Sequence, residues 1–157
     1  MKSSFLGTVL PVLFFCLLNI KSLSQESPAT FHFTSKKIAT NQYEIHISAK
    51  IRQPWHIYAQ VQPKGSINIP TLIKFKNNPL IIFDGKVKEV GTKEYFNEKS
   101  LNISSWLYHN NVEFIQIIHL KVKTNTNIIG SITFQVCNEK VCLQPTTLPF
   151  NIVILNK

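Results

Sequence analysis

Cys137 and Cys142 are the residues of this chain whose type and spacing are best suited to chemistry. Four residues separate them, and strand-like sequence lies on either side, which is typical of a hairpin with a short loop. Residues that face each other across an antiparallel pair lie about 4.5–5.5 Å apart at Cα, inside the range that a disulfide needs. The two sulfurs are therefore predicted to bond with little displacement of the backbone. In the strand before them Phe134 and Val136 share one parity, so alternation places Cys137 off the core face.

The residues alone leave open whether this bond is a structural staple or a redox reagent. In the loop-entropy model a loop of six residues gains only about 2 kcal/mol from a disulfide, so a staple here contributes comparatively little. The structural disulfide of antibody-type sandwiches joins distant strands across two sheets, and this pair does not. The flanking charges of Glu139 and Lys140 act in opposite directions on a thiolate, so they do not decide between the two roles.

The start of the chain predicts a secretory signal peptide. Lys2 is followed by an apolar run from residue 5 to about residue 18 and then by small residues, the order that such signals have. The run is shorter than the roughly 20 residues of a membrane span, and Pro11 interrupts it. We expect residues 1–24 to be cleaved, leaving a periplasmic or secreted domain of residues 25–157 without a transmembrane segment.

Cys16 lies inside the apolar run and raises the alternative of a lipid anchor. Lipidation sites generally have small residues just before the cysteine, whereas Phe14 and Phe15 occupy those positions here. We expect Cys16 to leave with the signal. The mature chain then keeps two cysteines in an oxidising compartment, where a disulfide can form.

The charge of the chain gives no indication of a nucleic-acid partner. The formal net charge of +9 falls to +7 once Lys2 and Lys21 leave with the signal, and Arg52 is the only arginine. Nucleic-acid-binding proteins usually cluster their positive charge and use arginine for bidentate contacts. Lysines spread along the chain instead predict a solvated basic surface.

Histidine spacing predicts neither a metal site nor a cofactor. None of the five histidines belongs to a metal-ligand pattern, and there is no glycine-rich phosphate loop and no GxSxG motif. We expect most of these histidines to be exposed residues of strands. They are His32, His46, His56, His109 and His119.

Alternating apolar and polar residues predict strands along the mature chain. The clearest alternation runs from Tyr43 to Ile51, and similar runs occur at residues 112–122 and 148–154. No segment has a convincing helical period. About eight or nine short strands with turn signals between them predict an all-β fold, an antiparallel β-sandwich.

Two predictions concern the middle of the chain. Asp84-Gly85 is a strong hairpin signal and is expected to join short strands at residues 80–83 and 86–90. From residue 91 to about residue 109 the periodicity is lost. We expect a long excursion there, with one short element at most.

Three segments together resemble the N-terminal periplasmic domain of the thiol:disulfide interchange protein DsbD, particularly its Bacteroidetes-type versions. They are Trp55-His56-Ile57-Tyr58, Asp84-Gly85-Lys86-Val87-Lys88-Glu89, and Cys137 to Leu143 before a proline and a final strand. The resemblance covers nearly the whole mature chain. Its specificity comes from the ordered set, since a CxxxxC motif alone is weak.

The resemblance implies an immunoglobulin-like sandwich whose paired cysteines relay reducing equivalents. Domains of this family take electrons from a thioredoxin-like donor and pass them to periplasmic disulfide oxidoreductases, which correct disulfides or serve cytochrome c maturation. Cys137 and Cys142 match the redox pair, and Cys142 is expected to form the mixed disulfide with the partner. No cofactor is implied.

The same resemblance suggests which aromatic residues accompany the pair. Trp55 and Tyr58 match an aromatic strand near the cysteines. The stretch from residue 93 to 101, with Tyr95 and Phe96, is expected to supply a loop that caps the disulfide or docks a partner.

The chain departs from the family pattern in two respects. Leu143-Gln144-Pro145 follows the second cysteine, where the family often has Leu-Pro-Pro. The full-length family protein also continues into a membrane-spanning domain and a thioredoxin domain, and this sequence does not, so we expect a stand-alone domain with a separate electron donor. The alternative is a secreted immunoglobulin-like binding or assembly module with a structural disulfide, whose reduction potential would lie below about −300 mV.

Overall fold

Antiparallel β-strands are the regular elements of the computed structural model, which describes residues 27–100 and 102–155. The predicted signal peptide, residues 1–24, and Cys16 lie outside the described residues. Within the described ranges, no helix has the length and apolarity needed to cross a membrane. The strands are β1 (Ala29–Ala39), β2 (Gln42–Ile51), β3 (His56–Tyr58), β4 (Leu72–Phe75), β5 (Ile81–Val90), β6 (Lys93–Glu98), β7 (Ile103–His109), β8 (Asn111–Leu120), β9 (Thr126–Phe134), β10 (Val136–Cys137) and β11 (Thr146–Ile154).

The strands form three sheets around one apolar core. Their orders are β1-β2-β8-β5, β10-β3-β7-β6 and β11-β9-β4, and the named pairings are all antiparallel. Inward residues of the long strands, among them Ile45, Phe114, Ile132 and Ile154, are almost completely buried. The alternation along β2, β8, β9 and β11 predicted these faces, because apolar residues two apart share one side of a strand. The predicted antiparallel β-sandwich is confirmed.

The prediction of a hairpin at Asp84-Gly85 was wrong. β5 runs through this dipeptide and pairs with β8 on both sides of it, with a shift of register between Asp84 and Lys88. Gly85 has a φ of +66°, which glycine adopts without steric cost, and the extra residues form a bulge. The side-chain amide of Gln116 on β8 donates to the Asp84 carbonyl at 2.9 Å. A dipeptide suited to a turn therefore forms an irregularity within one strand.

The long excursion predicted for residues 91–109 was also wrong, because two strands lie there. β6 and β7 form a hairpin in which Lys93 pairs with Tyr108 and Glu98 pairs with Ile103. β6 is the edge of its sheet, and all its residues except the last are exposed. A strand that is exposed on both faces has no apolar–polar alternation for a sequence to reveal.

The residues paired with short strand β3 show which face of the sheet β10-β3-β7-β6 meets the main core. Its Ile57 pairs with Val136 on one side and Tyr108 on the other, and all three residues belong to the main core. Alternation then directs the adjacent residues of these strands to the opposite face, away from the main core. We call this opposite face of the sheet the outer face.

We predict that Gly130→Ala lowers the free energy of unfolding by about 1–3 kcal/mol, the usual cost of overpacking an interior. Gly130 pairs with Phe150 on β11, and a Cβ atom there would meet the Phe150 ring and the Lys74 carbonyl oxygen. Denaturant unfolding measures the change. Ser131→Ala is the control, with an expected change of less than about 0.5 kcal/mol. A Gly130→Ala domain as stable as the wild type would mean that Phe150 moves aside freely.

Candidate functional site

Cys137 and Cys142 form a disulfide with an S–S distance of 2.01 Å and a Cα–Cα distance of 4.1 Å. Cys137 ends β10 and pairs with Cys142 as an isolated antiparallel bridge, so the predicted hairpin is confirmed. Two backbone hydrogen bonds of 2.9 Å close it on either side of the sulfurs, from Asn138 N–H to the Val141 carbonyl and from Leu143 N–H to the Val136 carbonyl. Backbone hydrogen bonds therefore close this loop in addition to the sulfur bond.

The side chain of Asn138 organises the loop between the cysteines. Its Oδ1 accepts hydrogen bonds from the backbone N–H groups of Lys140 (2.8 Å) and Val141 (2.9 Å), as asparagine commonly does in turns. Glu139 and Lys140 are left exposed at the tip. The charged side chains of the loop are therefore accessible to solvent.

The two cysteines differ strongly in exposure. Cys137 is 1% exposed and packs with Tyr58 and Leu107 in a small cluster on the outer face, separate from the main core. Cys142 is exposed. Alternation correctly placed Cys137 off the main core, but it did not reveal that Tyr58 and Leu107 cover it. An incoming group thus reaches the pair from the side of Cys142.

Tyr58 on β3 places a polar group beside the exposed cysteine. Its hydroxyl lies 4.0 Å from Cys142 Sγ. The hydroxyl of buried Thr71 donates to the Tyr58 carbonyl at 2.6 Å and so fixes the end of β3. Burial raises the pKa of Tyr58 above its ordinary value, because desolvation disfavours the phenolate. The sulfurs therefore have a neutral phenol beside them.

A cavity of about 320 Å³ opens on the outer face next to the cysteine pair. Strands β3, β6 and β7 and the cysteine loop all contribute to it, so it lies where three strands and that loop meet. Within the described residues no group of three or more His, Cys, Asp or Glu side chains is placed to hold a metal ion. Its lining includes His56, Tyr58, Phe96, Leu107, His109 and Glu139.

The four aromatic residues that the sequence analysis associated with the cysteine pair lie in different surroundings in the structure. Tyr58 and Phe96 line the cavity, and Phe96 is 48% exposed at its rim. Tyr95, on the other face of β6, packs on Trp106 with ring centroids 4.7 Å apart. Trp55 packs against the main core. Only Tyr58 and Phe96 of the four are therefore positioned to act at this cavity, and their roles stay predictions.

His56 and His109 belong to the site although sequence reasoning treated them as ordinary strand residues. They pair across β3 and β7, with ring centroids 5.4 Å apart. Burial, and secondarily the charge of His109, lowers the pKa of His56 from 6.5 to about 4. The sequence contained one sign of this position, because side chains alternate along a strand and His56 must lie on the same face as Tyr58, two residues later.

Glu89 fastens the β6–β7 hairpin beside the cavity. Its carboxylate accepts hydrogen bonds from the Gln60 backbone N–H at 2.6 Å and from the Tyr108 hydroxyl at 3.1 Å, and it pairs with Lys93 Nζ at 2.9 Å. Burial first, then the Glu89 charge and hydrogen bond, raise the pKa of Tyr108 well above its ordinary range. One carboxylate thus connects the end of β5 with β6, β7 and the segment that follows β3.

Comparison with known proteins relates this architecture to a redox family. Residues 21–153 match the family described as thiol:disulfide interchange protein DsbD, N-terminal. No curated protein matches the chain. Among solved structures, the following two are similar in fold.

The first is the N-terminal periplasmic domain of ScsB from Proteus mirabilis, with a TM-score of 0.58 and 18% identity over 86% of this chain and 49% of that one. The second is a complex between the DsbD N-terminal and PilB N-terminal domains from Neisseria meningitidis, with a TM-score of 0.53 and 14% identity over 83% and 87%. At such identities the likeness shows the fold. The chain spans about half the length of the ScsB structure.

We predict that, after gentle reduction, Cys142 is alkylated at least about tenfold faster than Cys137, because only Cys142 is exposed. Brief treatment with iodoacetamide, quenching and peptide mass spectrometry measure the labelling of each cysteine. The same experiment in denaturant is the control and should label both cysteines at similar rates. Equal labelling in the folded domain would contradict the difference in access.

Proposed function

The chain belongs to the family of DsbD N-terminal domains, and from this premise we propose that Cys137 and Cys142 form a redox pair that relays reducing equivalents to partner oxidoreductases. The single observation that carries the proposal is the difference between the two cysteines. Cys142 is exposed, and Cys137 is buried against Tyr58 and Leu107, two residues that line the cavity. A thiol-disulfide relay needs one sulfur that meets the partner and a second that is kept for the intramolecular step.

Reduction of the domain begins at Cys142. A donor thiolate attacks Cys142 Sγ, a new S–S bond forms, and the Cys137–Cys142 bond breaks with its electron pair on Cys137, which then takes a proton. The second thiolate of the donor attacks its own sulfur in the mixed disulfide and releases Cys142. Two electrons have entered the domain, and the donor has become a disulfide.

Delivery of the electrons reverses the order. The Cys142 thiolate attacks one sulfur of an acceptor disulfide, the acceptor S–S bond breaks with its electron pair on the other acceptor sulfur, and the second mixed disulfide forms. Cys137, once deprotonated, attacks Cys142 Sγ, the Cys137–Cys142 bond forms again, and the acceptor sulfur leaves as a thiolate. The acceptor has gained two electrons and has become a dithiol.

A purely structural role explains less of the geometry. The loop is already closed by two backbone hydrogen bonds and by the Asn138 side chain. A disulfide across so short a loop contributes about 2 kcal/mol in the chain-entropy model. A staple also has no need of an exposed sulfur, because exposure makes a disulfide easier to reduce.

The partners follow from the chemistry and from the family. A donor must present a dithiol, and an acceptor must present a reducible disulfide, which are properties of thioredoxin-like proteins and of periplasmic disulfide oxidoreductases. The ScsB domain in the comparison is periplasmic, and the related Neisseria domain forms a complex with PilB N-terminal domains. We infer the same compartment here, with Tyr58 and half-exposed Phe96 as part of the surface that meets the partner.

The reduction potential of the mature domain tests the proposal. We expect a value near that of thioredoxin-like proteins, roughly −270 to −180 mV, measured by trapping free thiols across a series of dithiol buffers. Cys137→Ser should accumulate a mixed disulfide with an acceptor disulfide, because its Cys142 thiolate can attack that disulfide but no Cys137 is present to resolve the product, whereas Cys142→Ser should not. A potential below about −300 mV, or a bond that is reduced only when the fold unfolds, would leave a stapled binding module instead.

A further inference from the structure

Cys137, His56 and His109 form one row across three strands. His56 pairs with Cys137 on β10 and with His109 on β7. Residues paired in this way point to the same face, with Cβ atoms about 4.5–5.5 Å apart. The two imidazoles stand edge to face at 5.4 Å, and His56 has the same relation to the Tyr58 ring at 5.3 Å. The buried sulfur therefore has an imidazole as its cross-strand neighbour.

The buried position of Cys137 creates a need for a base. When the relay delivers electrons, Cys137 must lose a proton before it can attack, and a side chain that is 1% exposed has no direct access to water. Desolvation also disfavours its thiolate. The charged residues of the loop, Glu139 and Lys140, are exposed at its tip. A neutral imidazole across the strand is a suitable proton acceptor.

We propose that His56 accepts the proton of the Cys137 thiol when the mixed disulfide is resolved and returns it when the disulfide is reduced. This inference rests on the proposed function. In resolution the proton moves from Cys137 Sγ to His56, the thiolate attacks Cys142 Sγ, and the Cys137–Cys142 bond forms. The Cys142–partner bond breaks and the partner thiolate leaves with the electron pair. The proton then passes to that thiolate or to water in the cavity.

The groups that face His56 are compatible with this role. His109 donates from Nδ1 to the Trp55 carbonyl at 3.2 Å, since a carbonyl can only accept, and its Nε2 lies 3.8 Å from Glu94 on β6. Tyr58 lies along β3, and Glu139 borders the same cavity. This row therefore links the sulfur to the exposed Glu94 carboxylate through the two imidazoles.

The lowered pKa of His56 in the oxidised state is compatible with a base that holds a proton only while a thiolate lies beside it. With a neutral disulfide beside it, His56 is uncharged above a pKa of about 4. A thiolate at Cys137 favours the imidazolium, because an opposite charge stabilises it. The thiolate–imidazolium pair has the same total number of protons as the thiol–imidazole pair. The fraction of domains that hold the thiolate–imidazolium pair is therefore independent of pH. This holds between the pH at which Cys137 and His56 together gain a further proton and the pH at which they lose one.

Ellman's reagent separates the two sulfur steps in the folded, reduced domain. The first release of thionitrobenzoate reports attack by Cys142, and the second reports resolution by Cys137.

We expect the rate of the second step in the wild type to vary little between about pH 5.5 and 7.5. In His56→Gln it should be about 100-fold slower at pH 6, within the range of general-base catalysis. It should also rise about tenfold per pH unit, because the thiolate then forms only by bulk ionisation. The first step should be unchanged.

Three further variants test whether the effect is specific to the imidazole of His56. His119→Gln replaces a histidine of β8 in another sheet and should leave both steps unchanged. His109→Gln removes a charge that lowers the pKa of His56, so it should move the lower end of the flat range to higher pH. In His56→Ala, added imidazole can enter the adjacent cavity and should restore the second step in proportion to its concentration.

The outcomes separate this inference from the proposed function. If the disulfide resists dithiols in the folded domain, or if Cys142 gives no first step, the relay itself fails. A normal first step with a wild-type second step in His56→Gln overturns the role of His56 alone. NMR titration of the unmodified protein provides an independent check, since the His56 pKa should rise on reduction. An unchanged His56 pKa would also overturn the proposal.

Discussion

The site depends on the pairing of two residues of β10 with β3. Val136 pairs with Ile57 on the main core side, and the next pair, Cys137 with His56, points to the outer face. A strand that slips by one residue exchanges its faces, so the burial of Val136 fixes the direction of the neighbouring sulfur. The apolar core thereby determines which cysteine is enclosed, although neither cysteine belongs to it.

Sequence patterns predicted those parts of the fold in which one face of a strand is buried. The alternation in β2, β8, β9 and β11 is strong because their inner residues are enclosed and their outer residues are wet. β6 was not detected because almost all of it is exposed, and β5 was divided in two because a positive-φ glycine suits a bulge as well as a turn. Neither ambiguity can be resolved without the neighbouring strand.

The candidate site could be predicted only in part for a similar reason. The spacing of Cys137 and Cys142 reveals a short hairpin, and parity gives the face of Cys137. The cover over that sulfur comes from Tyr58 and Leu107, which are far away in the chain. His56 and His109 acquire chemical meaning only when β3 lies between β10 and β7. Long-range strand order, which local patterns do not contain, brings them together.

Edge strand β6 has a consequence for the behaviour of the protein at high concentration. An unpaired strand edge can act as a template for the backbone of another chain, and charged side chains at such an edge oppose this kind of aggregation. β6 carries Lys93, Glu94 and Glu98 beside the exposed aromatic Phe96. These charges oppose cross-β stacking of copies along this strand, while the Phe96 ring at the rim of the cavity stays exposed.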